Sequence, residues 1–300
     1  MAHNGTPSRR SLIGVLLQAL RVSQWIKNAV VFAPLIFSGR LLERSSAVSA
    51  AFSFIVFCLA SSGTYVLNDI LDRRIDRFHP RKKTRPIASG ALPVAWAWVL
   101  SLGLMGAALW GGWIYHPGLG GALLLYLGLN AAYSAFLKRV VILDVVILSL
   151  GFVIRIWGGS LVLGLAPSHW LQLTMWFLAL FLGLAKRRQE LVILHGQALR
   201  HRKVLSDYTP AFIDQLTSIL TAVAILCYAL YAVSPEVTHR VGPAGFIYTV
   251  PFVIYGIFRY LYVVHVREEA LDPTEALLCD LPMALSLVAW ILTVLFLLYR

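Results

Sequence analysis

Four polar side chains crowd the segment Tyr65-Val66-Leu67-Asn68-Asp69-Ile70-Leu71-Asp72-Arg73-Arg74-Ile75-Asp76. Asn68, Asp69, Asp72 and Asp76 stand at helical spacings, so on a helix they share one stripe. Asp69 and Asp76 are then two turns, about 10 Å, apart along the axis. Carboxylates that close repel one another unless a cation lies between them. Oxygen donors with neither His nor Cys nearby suit Mg2+. That ion takes one or two carboxylates and completes its shell with water and substrate phosphate. The stripe therefore reads as half of a Mg2+-diphosphate site, with Asp69, Asp72 and Asp76 as catalytic carboxylates and Asn68 as a further metal ligand. The competing reading is a solvated helix end, in which Asp69 and Arg73 form an ordinary i,i+4 pair. Acidic residues are scarce, 14 in 300, and three of them beside one apolar run favour the site.

A basic loop follows at once: His79-Pro80-Arg81-Lys82-Lys83-Thr84-Arg85-Pro86-Ile87-Ala88-Ser89-Gly90. Two prolines and a glycine impose sharp turns, which lets Lys82 and Arg85 fold back over the acidic stripe. Arg offers a planar fork matched to phosphate oxygens, and Lys a mobile point charge. Acidic stripe, metal, phosphate and basic loop then alternate in sign.

Other ionisable residues sit where lipid makes them costly, and such residues default to functional candidates. Lys27 interrupts the apolar run at Gln24-Trp25-Ile26-Lys27-Asn28. Tyr133 and Lys138 close one apolar run, Asp144 opens the next, and Arg155 lies deep within it. Lys186, Arg187 and Glu190 close another. All are candidate substrate-binding residues. Arg155 needs an anionic partner, and Asp144 is roughly 16 Å away along the helix. A neighbouring segment, a water-filled cavity or a bound phosphate must serve. Gly151, Gly158 and Gly159 flank Arg155 and permit close approach by another helix or a ligand.

The elements that must position these residues are transmembrane helices. Hydrophobic residues make up 59% of the chain and charged ones 13%, against about 45–50% and about 25% for soluble domains. A span needs ~20 apolar residues. Nine segments qualify: 24–39, 46–69, 93–115, 118–137, 140–164, 168–187, 211–233, 244–265 and 281–299, the first weakened by Lys27, Asn28 and Pro34. Residues 11–22 read as an interfacial helix, interrupted by Arg21, within a cytoplasmic segment 1–22. The whole chain, 1–300, forms one polytopic membrane domain. Basic residues concentrate in 70–92, 138–139 and 186–203, while the alternate connections are nearly bare. The positive-inside bias then places the N-terminus in the cytoplasm and the C-terminus outside, across the inner (plasma) membrane. This placement accounts for the net charge of +12 without nucleic acid. Cys58, Cys227 and Cys279 are too scattered for a metal or redox site. No P-loop or nucleophile triad is present, and no inverted repeat points to a transporter.

Asn68-Asp69-x-x-Asp72-x-x-x-Asp76 followed by Arg85-Pro86-Ile87-x-Ser89-Gly90 resembles the UbiA prenyltransferase superfamily. The resemblance implies a nine-helix bundle around a central cavity open to the cytoplasmic face, with aspartates that bind Mg2+-diphosphate. Lys27, the His79 to Ile87 run, Lys186-Arg187-x-x-Glu190-Leu191 and Pro273-Thr274-Glu275-x-x-x-x-Asp280 are similar to the branch that transfers phosphoribose to polyprenyl phosphate, the decaprenyl-phosphate phosphoribosyltransferases. That branch implies phosphoribosyl diphosphate as donor and polyprenyl phosphate as acceptor, and leaves homo-oligomerisation open. The alternative is prenylation of an aromatic acceptor. Enzymes of that kind carry a second paired-aspartate motif, whereas this chain offers only Asp144 in the corresponding region.

Overall fold

The computed structural model describes residues 11–78, 82–166, 168–194, 207–266 and 279–300. His79, Pro80, Arg81, Arg200, Arg202, Lys203, Pro273 and Glu275 lie outside the described residues. Among those described, every regular element is helical. In chain order they are α1 (Leu12–Leu20), a 3-10 helix (Val22–Phe32) running into α2 (Ala33–Phe37), α3 (Arg44–Leu71), α4 (Arg73–Asp76), and α5 (Pro86–Ser89). Then come α6 (Val94–Tyr115), α7 (Pro117–Ala135), a short 3-10 turn (Leu137–Arg139), α8 (Leu143–Val162), and α9 (His169–Leu194). Last are α10 (Pro210–Ala232), α11 (Pro235–Val241), α12 (Val250–His265), and α13 (Leu281–Tyr299).

Six segments are long and apolar enough to cross a membrane: Arg44–Leu71, Val94–Tyr115, Leu143–Val162, Pro210–Ala232, Ile247–His265 and Leu281–Tyr299. The remaining three expected spans depart from the pattern for physical reasons. Segment 24–39 is a 3-10 helix continued by a single short α-helix, with Asn28 buried and Pro34 at the α2 start. Segment 118–137 becomes α7, diluted by four glycines and Asn130. Segment 168–187 becomes α9, which continues to Leu194. Lys186, Arg187 and Glu190 therefore lie inside a helix and do not end it, and Arg187 and Glu190 pair there at i,i+3. The fifth segment also starts later than expected, at Leu143, after a sharp turn through Ile142.

On α6 the packing puts small residues inside and large apolar ones outside. On α6, Ala97, Ser101, Ala108 and Gly112 are buried while Trp96, Val99, Leu102 and Trp110 are exposed. In water this would be an aggregation hazard. In hydrocarbon it is the expected arrangement, since helices associate there through close-packed small residues. Ser101 Oγ donates to the Gly63 carbonyl at 2.8 Å, where α3 and α6 touch. The main core joins α3, α6, α7 and α8 through Val56, Phe57, Ala108, Leu119, Leu123 and Ile154.

The 3-10 helix lies against both α3 and α8. A Cβ on Gly159 would stand 2.3 Å from the Val31 carbonyl oxygen, and one on Gly158 2.5 Å from the Phe57 ring. The glycines flanking Arg155 thus admit protein neighbours. Gly159→Ala should push this backbone aside at a cost of about 1–3 kcal/mol. A fall of several degrees in the unfolding midpoint of detergent-solubilised protein is expected, and an unchanged midpoint would contradict the close approach.

Candidate active site

The acidic stripe sits where α3 ends. Asn68 and Asp69 belong to the last turn of α3, Asp72 is its C-cap with φ −90° and ψ 2°, and Asp76 ends α4. The break at Asp72 brings Asp69 and Asp76 much closer than the roughly 10 Å of an ideal straight helix. Both reach one guanidinium nitrogen: Arg85 Nη1 is 3.0 Å from Asp69 Oδ1 and 2.7 Å from Asp76 Oδ2. Arg85 is placed there as the extended N-cap of α5, whose first residue is Pro86. Arg85 therefore does fold back over the stripe. Lys82 lies in the 3-10 turn Lys82–Thr84, and its carbonyl accepts from Arg85 N at 3.0 Å.

A second guanidinium completes the cluster. Arg21 donates through Nη2 to Asp69 Oδ1 and rests over the Tyr65 ring at 4.9 Å. It ends α1 in the left-handed region, φ 50° and ψ 50°, which turns its side chain toward α3. Asp72 pairs with Lys138 Nζ at 2.6 Å. Asn68 Oδ1 accepts from the Ser134 hydroxyl of α7. Asp69 and Asp76 are each 3% exposed, so their ion pairs work in a medium far less screening than water.

Of the four expected ligands, Asp69 and Asp76 share one cation, Arg85, while Asp72 pairs with Lys138 and Asn68 with Ser134. Among the described residues no group of three or more His, Cys, Asp or Glu side chains is arranged to hold a metal ion. Cations stand between these carboxylates and offset their repulsion: Arg85 bridges Asp69 and Asp76, Arg21 adds to Asp69, and Lys138 takes Asp72. The donor chemistry of the Asp69/Asp76 pair still fits Mg2+, because it is all oxygen and the ion needs only one or two carboxylates.

Residues 30–288 match the UbiA prenyltransferase family. The chain belongs to that family. It is 33% identical over 295 residues to a decaprenyl-phosphate phosphoribosyltransferase of Mycolicibacterium smegmatis, covering 95% of this chain and 92% of the relative. It is 32% identical over 291 residues to one of Mycobacterium tuberculosis, covering 95% and 94%. A solved UbiA homologue from Archaeoglobus fulgidus bound to DMAPP and Mg2+ has the same fold, with a TM-score of 0.70 and 18% identity over 94% of this chain and 98% of that one.

The other candidate residues of this UbiA-family chain form two further networks. Asp144, in the first turn of α8, is 0% exposed, and Arg187 on α9 is 3% exposed. Arg187 Nε donates to Asp144 at 2.7 Å and Nη1 to Glu190 at 2.8 Å. The Tyr208 hydroxyl donates to Asp144 Oδ1 at 2.8 Å. Tyr133 is buried on α7. At these exposures Asp144 and Arg187 brace the helices next to the acidic cluster. Removing one partner of such a buried pair leaves an unmatched charge and costs about 3–5 kcal/mol.

Arg155 lies apart from the acidic cluster, and its expected anionic partner is replaced by neutral acceptors. Nε donates to Asn28 Oδ1 at 2.6 Å, Nη1 to the Gly151 carbonyl at 2.7 Å, and Nη2 to the Tyr126 hydroxyl at 3.0 Å. The Tyr126 and Phe152 rings face its charge at 4.7 and 5.4 Å. Arg155 thereby clamps the 3-10 helix to α7 and α8. Lys27 precedes Asn28 on that 3-10 helix, and Lys186 precedes Arg187 on α9. Both are partly buried. Asp280 caps α13 through Met283 N at 3.0 Å and pairs with Arg259 at 2.8 Å, which gives it a structural place.

Sequence reasoning missed Arg21, Ser134 and Tyr208 as members of these networks. Arg21 did leave a signal, as the lone charge breaking the apolar run 11–22. Ser134 and Tyr208 left none, since their partners lie 66 and 64 residues away.

Proposed function

We propose that this enzyme transfers 5-phosphoribose from phosphoribosyl diphosphate to a polyprenyl phosphate and releases diphosphate. One observation carries the reading of the site. Two buried carboxylates, Asp69 and Asp76, are held together by a guanidinium from the loop that follows them, with a second guanidinium on Asp69. Paired oxygen ligands interleaved with Arg side chains suit a metal-bound diphosphate. The choice of donor and acceptor follows the relatives named decaprenyl-phosphate phosphoribosyltransferase, which match nearly the full chain.

In this reading Asp69 and Asp76 would hold Mg2+, with Asp72 and Asn68 beside them, and the ion supplies charge neutralisation of the leaving diphosphate. Arg85, Lys82 and Arg21 hold the remaining phosphate charge, which is worth most where water is excluded. Lys138 orients Asp72. Lys27 and Lys186 meet the acceptor phosphate, and Arg155 keeps the 3-10 helix carrying Lys27 in place. An acceptor phosphate oxygen attacks the anomeric carbon as the carbon–diphosphate bond breaks, and that electron pair leaves on diphosphate. Configuration at carbon inverts. The acceptor is already an anion, so no general base is required.

The same reading takes the bundle as nine spans of the inner membrane around a cavity open to the cytoplasm, N-terminus inside and C-terminus outside. The 3-10 rise of about 2 Å per residue supports the first span. It lets residues 22–37 reach about 30 Å, near the hydrocarbon thickness.

The test is a donor panel. Purified protein with Mg2+, polyprenyl phosphate and each of phosphoribosyl diphosphate, dimethylallyl diphosphate and geranyl diphosphate is followed by mass spectrometry of the lipid product. Polyprenyl-phosphate 5-phosphoribose from the first donor alone is expected. Turnover restricted to an isoprenyl donor with an aromatic acceptor would replace this reading.

A further inference from the structure

We infer that Tyr208 is a positioning residue for the transfer reaction: it caps a strained turn before α8 and so sets Lys138 against Asp72. The inference rests on the site assigned above. Ile142 has φ 69° and ψ −46°, and Leu143 N donates across it to the Val141 carbonyl at 2.8 Å. This is the positive-φ form of the γ-turn, the rarer and strained one. A β-branched residue in that region is an outlier. Such strain persists only where surrounding structure holds it, and it collects near functional sites.

The support comes from far along the chain. α8 has no side-chain cap from its own turn. Ile142 N donates instead to Tyr208 Oη at 2.8 Å, and the same phenol donates to Asp144 Oδ1 at 2.8 Å. One hydroxyl thus joins the backbone of the strained residue to a carboxylate in the first turn of α8. Asp144 is anchored in turn by Arg187. Tyr208 is 3% exposed. Burial first, and the Asp144 bond second, raise its phenol above the ordinary range, so it remains a proton donor at neutral pH.

The strained turn has a consequence upstream. Lys138 lies in the 3-10 turn Leu137–Arg139, which packs against both α7 and α8. Only Val140 and Val141 separate that turn from Ile142. The path of those residues decides whether Lys138 Nζ stands 2.6 Å from Asp72. Without the phenol hydroxyl, Ile142 relaxes to an unstrained conformation and Lys138 leaves Asp72. The ring itself still packs with Phe212.

The test is a pair of double-mutant cycles on purified full-length protein, read as kcat and KM for the donor diphosphate. Tyr208→Phe removes both hydrogen bonds of the hydroxyl and should lower kcat/KM about tenfold, the part of that loss that reaches the site. In a Lys138→Ala background Tyr208→Phe should have no further effect, because the group it positions is gone. Glycine tolerates φ 69° without strain. Ile142→Gly alone should therefore stay near wild-type activity, and in that background Tyr208→Phe should cost no more than about twofold. Should Tyr208→Phe alone yield too little folded protein, the comparison between Ile142→Gly and Ile142→Gly/Tyr208→Phe carries the decision. Independent, multiplying losses for Tyr208→Phe and Lys138→Ala would overturn the inference. So would an undiminished Tyr208→Phe penalty on Ile142→Gly. A wrong donor assignment shows itself in the wild-type protein, as no turnover of phosphoribosyl diphosphate. The cycles are then run on whichever diphosphate the wild type consumes.

Discussion

Asp69→Asn is expected to reduce kcat/KM for the donor by about 10³-fold or more, the upper range for losing one preorganised electrostatic group. The substitution keeps the size of the side chain and one oxygen, so it isolates the charge. In the structure that charge faces Arg21 and Arg85 together. Its loss removes the strongest oxygen donor for a divalent cation and leaves two guanidiniums opposed across a neutral amide. The arginine side chains are about a quarter exposed, 25% and 26%, so they can turn toward water. The stability cost should therefore stay at about 1–2 kcal/mol, below that of a fully buried pair. Initial rates of lipid-product formation and a thermal melt in the same detergent separate the two effects. Activity within tenfold of wild type, with the protein folded, would remove Asp69 from the metal-diphosphate role.

Arg85→Lys should cost about 10²-fold in kcat/KM although the formal charge is unchanged. Arg85 uses a single nitrogen to join Asp69 and Asp76, at 3.0 and 2.7 Å, and its fork leaves further N–H donors for phosphate oxygens. A lysine ammonium has no planar fork and cannot repeat that geometry. Two carboxylates left without the bridge repel and spread apart. The loss should appear mainly as a higher KM for the donor, with a smaller fall in kcat, because Arg85 meets the diphosphate before the bond breaks. Equal activity of Arg85→Lys and wild type would show that only net charge matters at this position. A kcat loss with KM unchanged would move Arg85 from binding to the transition state.

The arrangement of cations has a physical logic. Three neighbouring carboxylates are costly alone, and in the structure each is matched by a basic residue: Asp69 by Arg21 and Arg85, Asp76 by Arg85, and Asp72 by Lys138. The basic partners come from four different places: the end of α1, the N-cap of α5, the 3-10 turn after α7, and, for Asp144, the C-terminal third of α9. A site built this way is preorganised by the bundle and not by one loop.

Local and compositional features were legible in the chain alone. The excess of apolar residues required lipid as solvent. Helical spacing grouped Asn68, Asp69, Asp72 and Asp76, although the helix breaks at Asp72 and Asp76 falls on α4, and the proline-bounded loop predicted that Lys82 and Arg85 would return over them. These are properties of nearby residues, set by the helix repeat and by backbone restrictions. Tertiary packing alone decided the partners. It paired Asp72 with Lys138, matched Arg155 with neutral Asn28 and Tyr126, and recruited Arg21 from 48 residues away. It also bent Ile142 into positive φ under the Tyr208 hydroxyl. Which side chains meet across such distances depends on how the helices cross and rotate, and helical periodicity says only which face a residue occupies, not what lies opposite.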